Sequence, residues 1–170
     1  LPVGINSGSG NKGMTVSLPV IAYAREYHIS DEQLLRALAV SNLIALHQKK
    51  YIGSLSAYCG AVSAGAGAGA GIAYLAGGGF EEIAHTLVNA IAITSGIICD
   101  GAKASCAAKI AASVDAGILG WNMYRNGQQF YGGDGIISKG VEKTIGNVGR
   151  LGKDGMKETD KEIIRIMTGC

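Results

Sequence analysis

The four cysteines are the residues of this chain most able to take part in chemistry. Cys59 lies in the stretch AYCGAVSAG, Cys99 and Cys106 stand seven positions apart in GIICDGAKASC, and Cys170 is the last residue. Free thiols bind soft metals, pair as disulfides or fill a core as small apolar groups. Zinc sites usually contain Cys-x₂₋₄-Cys pairs, and this chain has none. A metal site and a packed-core role therefore both remain open.

The Asp100–Gly101 pair determines whether the thiols of Cys99 and Cys106 can approach each other. On one continuous helix these two residues would share a face but lie roughly 10 Å apart along the axis. Asp-Gly is a turn dipeptide, so we expect a break there that folds Cys106 back towards Cys99. Three converging thiolates, with Cys59 as the third, would suit an iron–sulfur cluster that leaves one iron open. The spacing permits this arrangement without requiring it.

The elements that would position the cysteines are helices. Ser30 and Gln33 form a capping-box pattern, and Leu34, Leu35, Leu38, Asn42 and Ala45 follow at helical spacing. The stretch 78–98 begins with acidic residues and is apolar nearly all round, so we expect it to be the central helix. Helices are also predicted from 105 to Asn126–Gly127 and near 159–168, with a glycine-rich loop over 128–155. We predict an all-α fold, a compact bundle of Gly/Ala-rich helices around a central buried helix.

The segment from Cys59 to Gly79 contains no charged residue and alternates glycine with alanine. Its 21 residues are long enough to cross a bilayer. Glycine costs roughly 0.5–1 kcal/mol per interior helix position relative to alanine, so an isolated helix would be weak. We favour a buried helix whose small residues let neighbouring backbones approach closely, and we expect no membrane partner.

Length and charge restrict the function classes. The 170 residues suit one domain, residues 1–170, and the net charge of +2 without a basic run gives no footprint for nucleic acid. The sequence begins at Leu1 in mid-pattern, so we expect it to be the C-terminal region of a longer protein, with the missing N-terminal region as an intramolecular partner. No secretory signal pattern is present and nothing indicates an oxidising compartment, which favours a cytoplasmic protein over a disulfide framework.

The cysteine motifs resemble a known family. AYCGAVSAG and GIICDGAKASC are similar to the α-domain of iron–sulfur L-serine dehydratases and, more closely, to L-cysteine desulfidases and serine-dehydratase-like proteins of the UPF0597 type. The opening stretch, LPVGINSGSGNKGMTVSLPVIAYA, resembles the second family signature. It differs by having Ile5 where the dehydratases have threonine and by an extra glycine-asparagine pair. These departures favour the desulfidase-like branch.

The resemblance implies a [4Fe–4S] cluster held by Cys59, Cys99 and Cys106, with Cys170 as a removable fourth ligand. It also implies β-elimination from a small amino acid, L-cysteine first and L-serine second, with release of pyruvate and ammonia. An iron without a cysteine ligand would act as the Lewis acid for the leaving group.

The remaining site residues are predicted around that chemistry. Asn6, Ser7, Gly8, Ser9 and Asn11 would bind the substrate carboxylate, together with backbone N–H groups near a helix N-terminus. His47 is a candidate base, and Lys103 would neutralise cluster charge or bind substrate. The base could also belong to the missing N-terminal region, and a homodimer is a candidate assembly.

Two other interpretations remain. GSGNKGMTVS also resembles the carboxylate-binding loop of pyridoxal-phosphate dehydratases, but that family requires an α/β fold, for which the strand patterns are missing. A helical domain without activity, whose cysteines are merely packed, is the non-enzyme alternative.

Overall fold

Helices form nearly all of the regular structure between residues 4 and 169, which are the residues that the computed structural model describes. The α-helices are α1 (Gly10–Glu26), α2 (Asp31–Ile52), α3 (Gly60–Leu75), α4 (Phe80–Thr94), α5 (Cys106–Arg125), α6 (Val141–Arg150) and α7 (Lys157–Thr168). A π-helical turn, Leu151–Gly155, joins the last two. Within residues 4–169 the only β-structure is two isolated bridges, Asn6–Ser9 and Tyr58–Ile98. The all-α prediction is confirmed.

Helix α3 is the centre of the bundle. Every residue from Ala61 to Ala73 is buried, and the helix packs against α1, α2, α4 and α5. Its glycines face two neighbours: a β-carbon on Gly69 would lie 2.5 Å from Cα of Gly117 on α5. On the other side, a β-carbon on Gly67 would lie 2.8 Å from the carbonyl oxygen of Ser41 on α2. The glycines that weaken α3 as an isolated helix allow its neighbours to pack closely against it.

The prediction that the stretch 78–98 forms the central helix is wrong. In α4 the continuous buried run is only Thr86–Ile91, and the Phe80 side chain is 80% exposed. Apolar side chains on all faces suggested full burial. The central position instead belongs to the helix whose side chains are small enough to accept four packed neighbours.

Helix α2 begins as predicted, because the Ser30 hydroxyl accepts a hydrogen bond from the Gln33 N–H group at 3.4 Å. Its buried face differs from the predicted stripe, since Leu35 is 67% exposed. The residues buried along this helix are Ala37, Ser41, Ala45, Gln48 and Ile52. Ala37, Ser41 and Ala45 are small and meet the glycines of α3, so the size of these residues rather than their hydrophobicity determined which part of α2 faces α3.

Residues 128–155 are not the continuous loop that the glycines suggested, because α6 forms within them. A β-carbon on Gly149 would lie 3.0 Å from the backbone carbonyl carbon of Tyr51, and one on Gly152 would lie 3.1 Å from Cβ of Tyr58. These two glycines permit close packing of α6 and the π-helical turn on the end of α2. They do not mark turns.

Among the described residues, no helix has both the length and the apolar character needed to cross a bilayer. The Gly/Ala segment forms α3 with 16 residues and is enclosed by other helices. The buried-helix interpretation of this segment is therefore confirmed.

Candidate functional site

Cys59 is the residue immediately before α3, at the positive end of the central helix. Its side chain is buried, with 3% of its surface exposed. Burial raises the pKa of the Cys59 thiol, while the nearby backbone N–H groups of Val62 and Ala61 act in the opposite direction. Those N–H groups would stabilise a thiolate at this position, as helix N-termini generally do for anions.

Cys99 lies beside Cys59 because the segment after α4 runs back along the residues that precede α3. The Cys99 N–H group donates to the carbonyl oxygen of Ala57 at 2.6 Å, and Tyr58 and Ile98 form an isolated antiparallel bridge. The side chain of Cys99 packs against the apolar cluster that contains Cys59. Two of the predicted thiol ligands are therefore brought together.

The predicted break between Cys99 and Cys106 is confirmed. Gly101 has φ of 93°, a left-handed conformation that suits glycine. The chain then turns into α5, which begins at Cys106. The Cys106 sulfur lies 3.7 Å from the Gly101 carbonyl oxygen, so the thiol is turned towards its own loop.

Within residues 4–169, no three side chains of His, Cys, Asp or Glu are gathered closely enough to hold a metal ion. The arrangement shown is thus a pair of thiols with a third at the next helix start. Cys170 lies outside the described residues. Near the end of α7, Met167 approaches the cysteine loop, since a β-carbon on Gly101 would lie 3.4 Å from Cε of Met167. The four-cysteine ligand set stays a prediction.

The loop between the two later cysteines is held by one carboxylate and two lysines. Asp100 forms an ion pair with Lys103 and another with Lys109 at 2.7 Å, and these contacts lower the pKa of Asp100 to about 2. The Lys109 ammonium also donates to the Ile98 carbonyl oxygen at 2.9 Å. Hydrogen bonding to Asp100 raises the pKa of Lys109, with smaller contributions in the same direction from Cys59 and Cys106. Lys109 is therefore a fixed positive charge that interacts with the thiols of Cys59 and Cys106.

Two further lysines approach the thiols from α1 and α2. Lys12 and Lys49 interact with each other, and both interact electrostatically with Cys59 and Cys99. Burial, followed by the charge of Lys49, lowers the pKa of Lys12 to about 8. Burial likewise lowers the pKa of Lys49. Positive charge thus surrounds the thiol pair on several sides.

The predicted substrate loop lies next to Lys12. The backbone of Asn6 and Ser9 pairs in both directions at 3.1 and 3.2 Å across a tight turn, with φ of 50° at Ser7 and 78° at Gly8. Lys12 Nζ donates to the Ser7 carbonyl oxygen at 3.3 Å. The same amino group covers the start of α3, since a β-carbon on Gly60 would lie 3.0 Å from it. Lys12 therefore links the loop to the thiol end of the central helix.

The polar side chains of this loop already have partners. The Asn6 amide donates to the Asn42 side-chain oxygen at 3.0 Å, and the Ser7 hydroxyl donates to the Asn6 side-chain oxygen at 2.7 Å. The Ser9 hydroxyl caps α1 by accepting from the Lys12 N–H group at 3.5 Å. The carboxyl-binding role given to Asn6, Ser7, Gly8, Ser9 and Asn11 stays a prediction. Asn6, Ser7, Gly8 and Ser9 form the loop beside Lys12, whereas Asn11 lies in the first turn of α1.

His47 lies on the opposite side of α2 from Lys49, because residues two apart on a helix are separated by roughly 200°. Its Nε2 atom lies 2.9 Å from a Glu142 carboxylate oxygen, and its ring meets the Tyr51 ring edge-on. These contacts connect α2 to α6. The role of His47 as base stays a prediction, and the helix geometry directs its side chain away from the thiols. The role of Lys103 also stays a prediction.

Sequence reasoning did not identify Lys12, Lys49 and Lys109 as members of the site. Lys109 could have been found, because it stands one helical turn after Cys106 at the start of a predicted helix. Lys12 and Lys49 gave no such signal. They belong to different helices, and only the packing of α1 and α2 against α3 brings them to Cys59.

Comparison with known proteins identifies the family to which the chain is similar. The family described as serine dehydratase alpha chain matches residues 1–165. Similar proteins include UPF0597 proteins of Desulfitobacterium hafniense (71% identity), Lachnoclostridium phytofermentans (59%) and Treponema denticola (52%). Each match covers 98% of this chain but only 38–40% of the relative, so the chain spans about two fifths of these curated proteins. No solved structure shows a significant match.

The family match includes the opening loop, both cysteine segments and every helix except the last residues of α7. It agrees with the resemblance seen in the cysteine motifs and in the opening stretch. This chain belongs to the serine dehydratase alpha chain family.

Proposed function

We propose that this chain is the cluster-binding part of an iron–sulfur lyase that removes hydrosulfide from L-cysteine. The observation that carries the proposal is the meeting of Cys59, Cys99 and cationic side chains at the N-terminus of α3, beside the loop 6–9. Such a site suits a thiolate-bound centre next to a place for a small anionic substrate. The N-terminal region as an intramolecular partner and the homodimeric assembly stay predictions.

The donor set fits a [4Fe–4S] cluster in its chemistry. Thiolates are the usual ligands of such clusters, and Cys59 has helix N–H donors and nearby lysines to stabilise the anionic sulfur. Cys59, Cys99 and Cys106 would hold the cluster. Cys170 is proposed as a labile fourth ligand, supported by the contact of Met167 with the cysteine loop. When bound, an iron without a cysteine ligand would supply Lewis-acid assistance to the departing sulfur.

The proposed reaction is a β-elimination followed by hydrolysis of the elimination product. A base takes the α-proton, the Cβ–S bond breaks, and sulfur leaves as hydrosulfide while the Cα–Cβ double bond forms. The resulting enamine tautomerises to an imine, and water converts it to pyruvate and ammonia. The residues of this chain would bind and orient the amino acid and compensate its negative charge, functions that suit the lysines around Cys59.

L-serine is the second candidate substrate, and the description of the matched family names serine. L-serine would lose hydroxide instead of hydrosulfide by the same steps. The pyridoxal-phosphate interpretation receives no support, because the all-α bundle does not provide the α/β scaffold that it requires.

The test is anaerobic reconstitution of the full-length protein with iron and sulfide, followed by assays of pyruvate and of sulfide with L-cysteine or L-serine. We expect a brown protein with broad visible absorption and turnover of L-cysteine above that of L-serine. A folded protein that gains no colour would refute the cluster. A coloured protein that releases no pyruvate from either amino acid would refute the lyase activity.

The base can be tested with two single variants, His47→Gln and Lys103→Gln, at equal cluster content. Removing a general base lowers kcat by roughly 10²–10⁴-fold. A loss of that size in one variant would identify the base. Full activity in both would place the base on another residue.

A further inference from the structure

Within residues 4–169, Lys12 and Lys49 differ from Lys103 and Lys109, the other lysines near the thiols, because neither forms an ion pair with a carboxylate. Lys109 and Lys103 are both paired with Asp100. Among the residues that the structure describes, neither Lys12 nor Lys49 is ion-paired with a carboxylate. The Lys12 amino group donates a hydrogen bond to the Ser7 carbonyl oxygen, which is neutral. The electrostatic neighbours of each lysine include the other lysine.

Two neighbouring ammonium groups in a partly buried site repel each other, and burial strengthens that repulsion because the dielectric constant is lower than in water. Lys12 is 9% exposed, and α3 fixes its chain against Gly60. An anion held between the two ammonium groups would remove the repulsion and satisfy their unused N–H donors. The pair therefore has the form of an anion-binding site.

We propose that Lys12 and Lys49 together bind the α-carboxylate of the amino-acid substrate. The proposal depends on the proposed function for the identity of the ligand. In L-cysteine and L-serine only Cα and Cβ separate the carboxyl carbon from the leaving atom. A carboxylate site must therefore adjoin the thiols that would hold the cluster. Lys12 meets this condition by its position, since its amino group lies 3.0 Å from where a β-carbon on Gly60, the residue after Cys59, would stand. Lys49 interacts with Lys12 and with the same two thiols.

The loop 6–9 has a positioning role in this arrangement. Its tight turn presents the Ser7 carbonyl oxygen to Lys12 at 3.3 Å, and the Asn6–Asn42 hydrogen bond ties the turn to α2, the helix that carries Lys49. The loop thus fixes the position of Lys12 relative to α2, the helix that carries Lys49. The carboxylate contact that the sequence suggested for the loop itself is assigned to the two ammonium groups next to it.

The test measures binding of L-alanine, which has the carboxylate and amine of the substrates but no leaving group, by calorimetry on the full chain before and after reconstitution. The comparison ligand is L-alaninamide, which lacks the carboxylate. We expect L-alanine to bind and L-alaninamide not to bind. Lys12→Gln and Lys49→Gln should each weaken L-alanine binding at least about tenfold, as expected for loss of a charge-assisted hydrogen bond.

Matched variants separate a local effect from general loss of charge or fold. Lys50→Gln removes a charge at the exposed position next to Lys49, and we expect L-alanine affinity within about twofold of the unsubstituted chain. Lys49→Arg keeps the charge and should retain most of the affinity. Circular dichroism should show the same helix content in every variant.

Several results would overturn the inference. These are equal binding of L-alanine and L-alaninamide, no binding of L-alanine, or unchanged affinity in both glutamine variants. Inorganic phosphate that binds through the two lysines without competing with L-alanine would show an inorganic-anion site instead, and would also overturn it. Lower iron retention with unchanged L-alanine affinity would assign the lysines to the cluster.

The outcome for the proposed function is distinguishable from the outcome for this site. Lysine-dependent L-alanine binding without turnover of L-cysteine or L-serine would refute the lyase activity alone. Turnover whose KM is unaffected by Lys12→Gln and Lys49→Gln would refute the carboxylate site alone.

Discussion

The two ends of α3 are built from different chemistry. At its C-terminal end the aromatic and charged groups pair with one another: the Arg125 guanidinium lies 5.6 Å from the centre of the Trp121 ring, and His85 stacks on Tyr124. The Glu82 carboxylate nearby accepts the Gly79 N–H group at 2.9 Å. At the N-terminal end, thiols and two ammonium groups meet without a carboxylate partner for Lys12 or Lys49 among the described residues.

This difference separates an end whose polar groups serve the fold from an end whose polar groups remain available. Unpaired buried charge is costly, and a fold rarely retains it without a compensating role. Substitutions at the thiol end should therefore change binding and leave folding nearly intact. Substitutions in the middle or at the aromatic end of α3 should change stability alone.

The largest effect is expected from Cys99→Ala. Removing one of the two adjoining thiols should lower bound iron at least about tenfold after reconstitution and reduce turnover to background, because cluster affinity depends on every thiolate ligand. Iron analysis and pyruvate release measure the effect. The control is Ser63→Ala, a buried polar residue one turn into α3, which should keep its iron. Normal iron content in Cys99→Ala would contradict the assigned ligand.

The next effect concerns the middle of α3. Gly69→Val should lower the free energy of unfolding by about 3 kcal/mol, because its β-carbon would meet the backbone of Gly117, which cannot move aside. Denaturant unfolding measures this change. The matched control, Gly146→Ala on α6, places a methyl group in open space and should raise stability by about 0.5–1 kcal/mol. Equal stability of Gly69→Val and the unsubstituted chain would show that α3 is not closely packed there.

A smaller effect is expected from Asp100→Asn, which removes the common partner of Lys103 and Lys109. The cysteine loop should become less well fixed, and a chelator should remove iron about threefold faster, a modest effect because these ion pairs are partly exposed. Asp115→Asn, an exposed position on α5, should release iron at the unsubstituted rate. Identical rates for both variants would remove Asp100 from the support of the site.

The smallest effect belongs to the aromatic end. Arg125→Gln removes the cation–π contact with Trp121 and should lower the free energy of unfolding by about 0.5–1 kcal/mol. Iron content and L-alanine affinity should not change. Any loss of iron in this variant would show that the two ends are coupled, which would break the comparison from which these predictions start.

Local patterns predicted several parts of the structure correctly. The break at Asp100–Gly101 followed from turn chemistry, and α5 ends at Asn126–Gly127 as predicted, with Gly127 at φ of 72°. The Ser30 cap was also correct. Each of these features depends on residues a few positions apart, whose conformational preferences act in any context.

Long-range features escaped sequence reasoning because they depend on packing between helices. Gly149 looked like a turn residue, yet it lies within α6 against Tyr51. No sequence pattern connected Lys12 with Lys49, which are 37 positions apart. No local pattern reports that two side chains from different helices meet over the start of a third.

The sequence by itself determined the all-α class, most of the helices and the thiol-bearing segments, because hydrophobic periodicity, caps and turn residues act over short distances. Only the tertiary structure decided that the weak Gly/Ala helix α3 lies at the centre. It also decided that Cys59 and Cys99 adjoin, and that two lysines without a carboxylate partner in the described chain face them. The physical reason is that small residues set how closely helices approach, and that distance determines which charges meet.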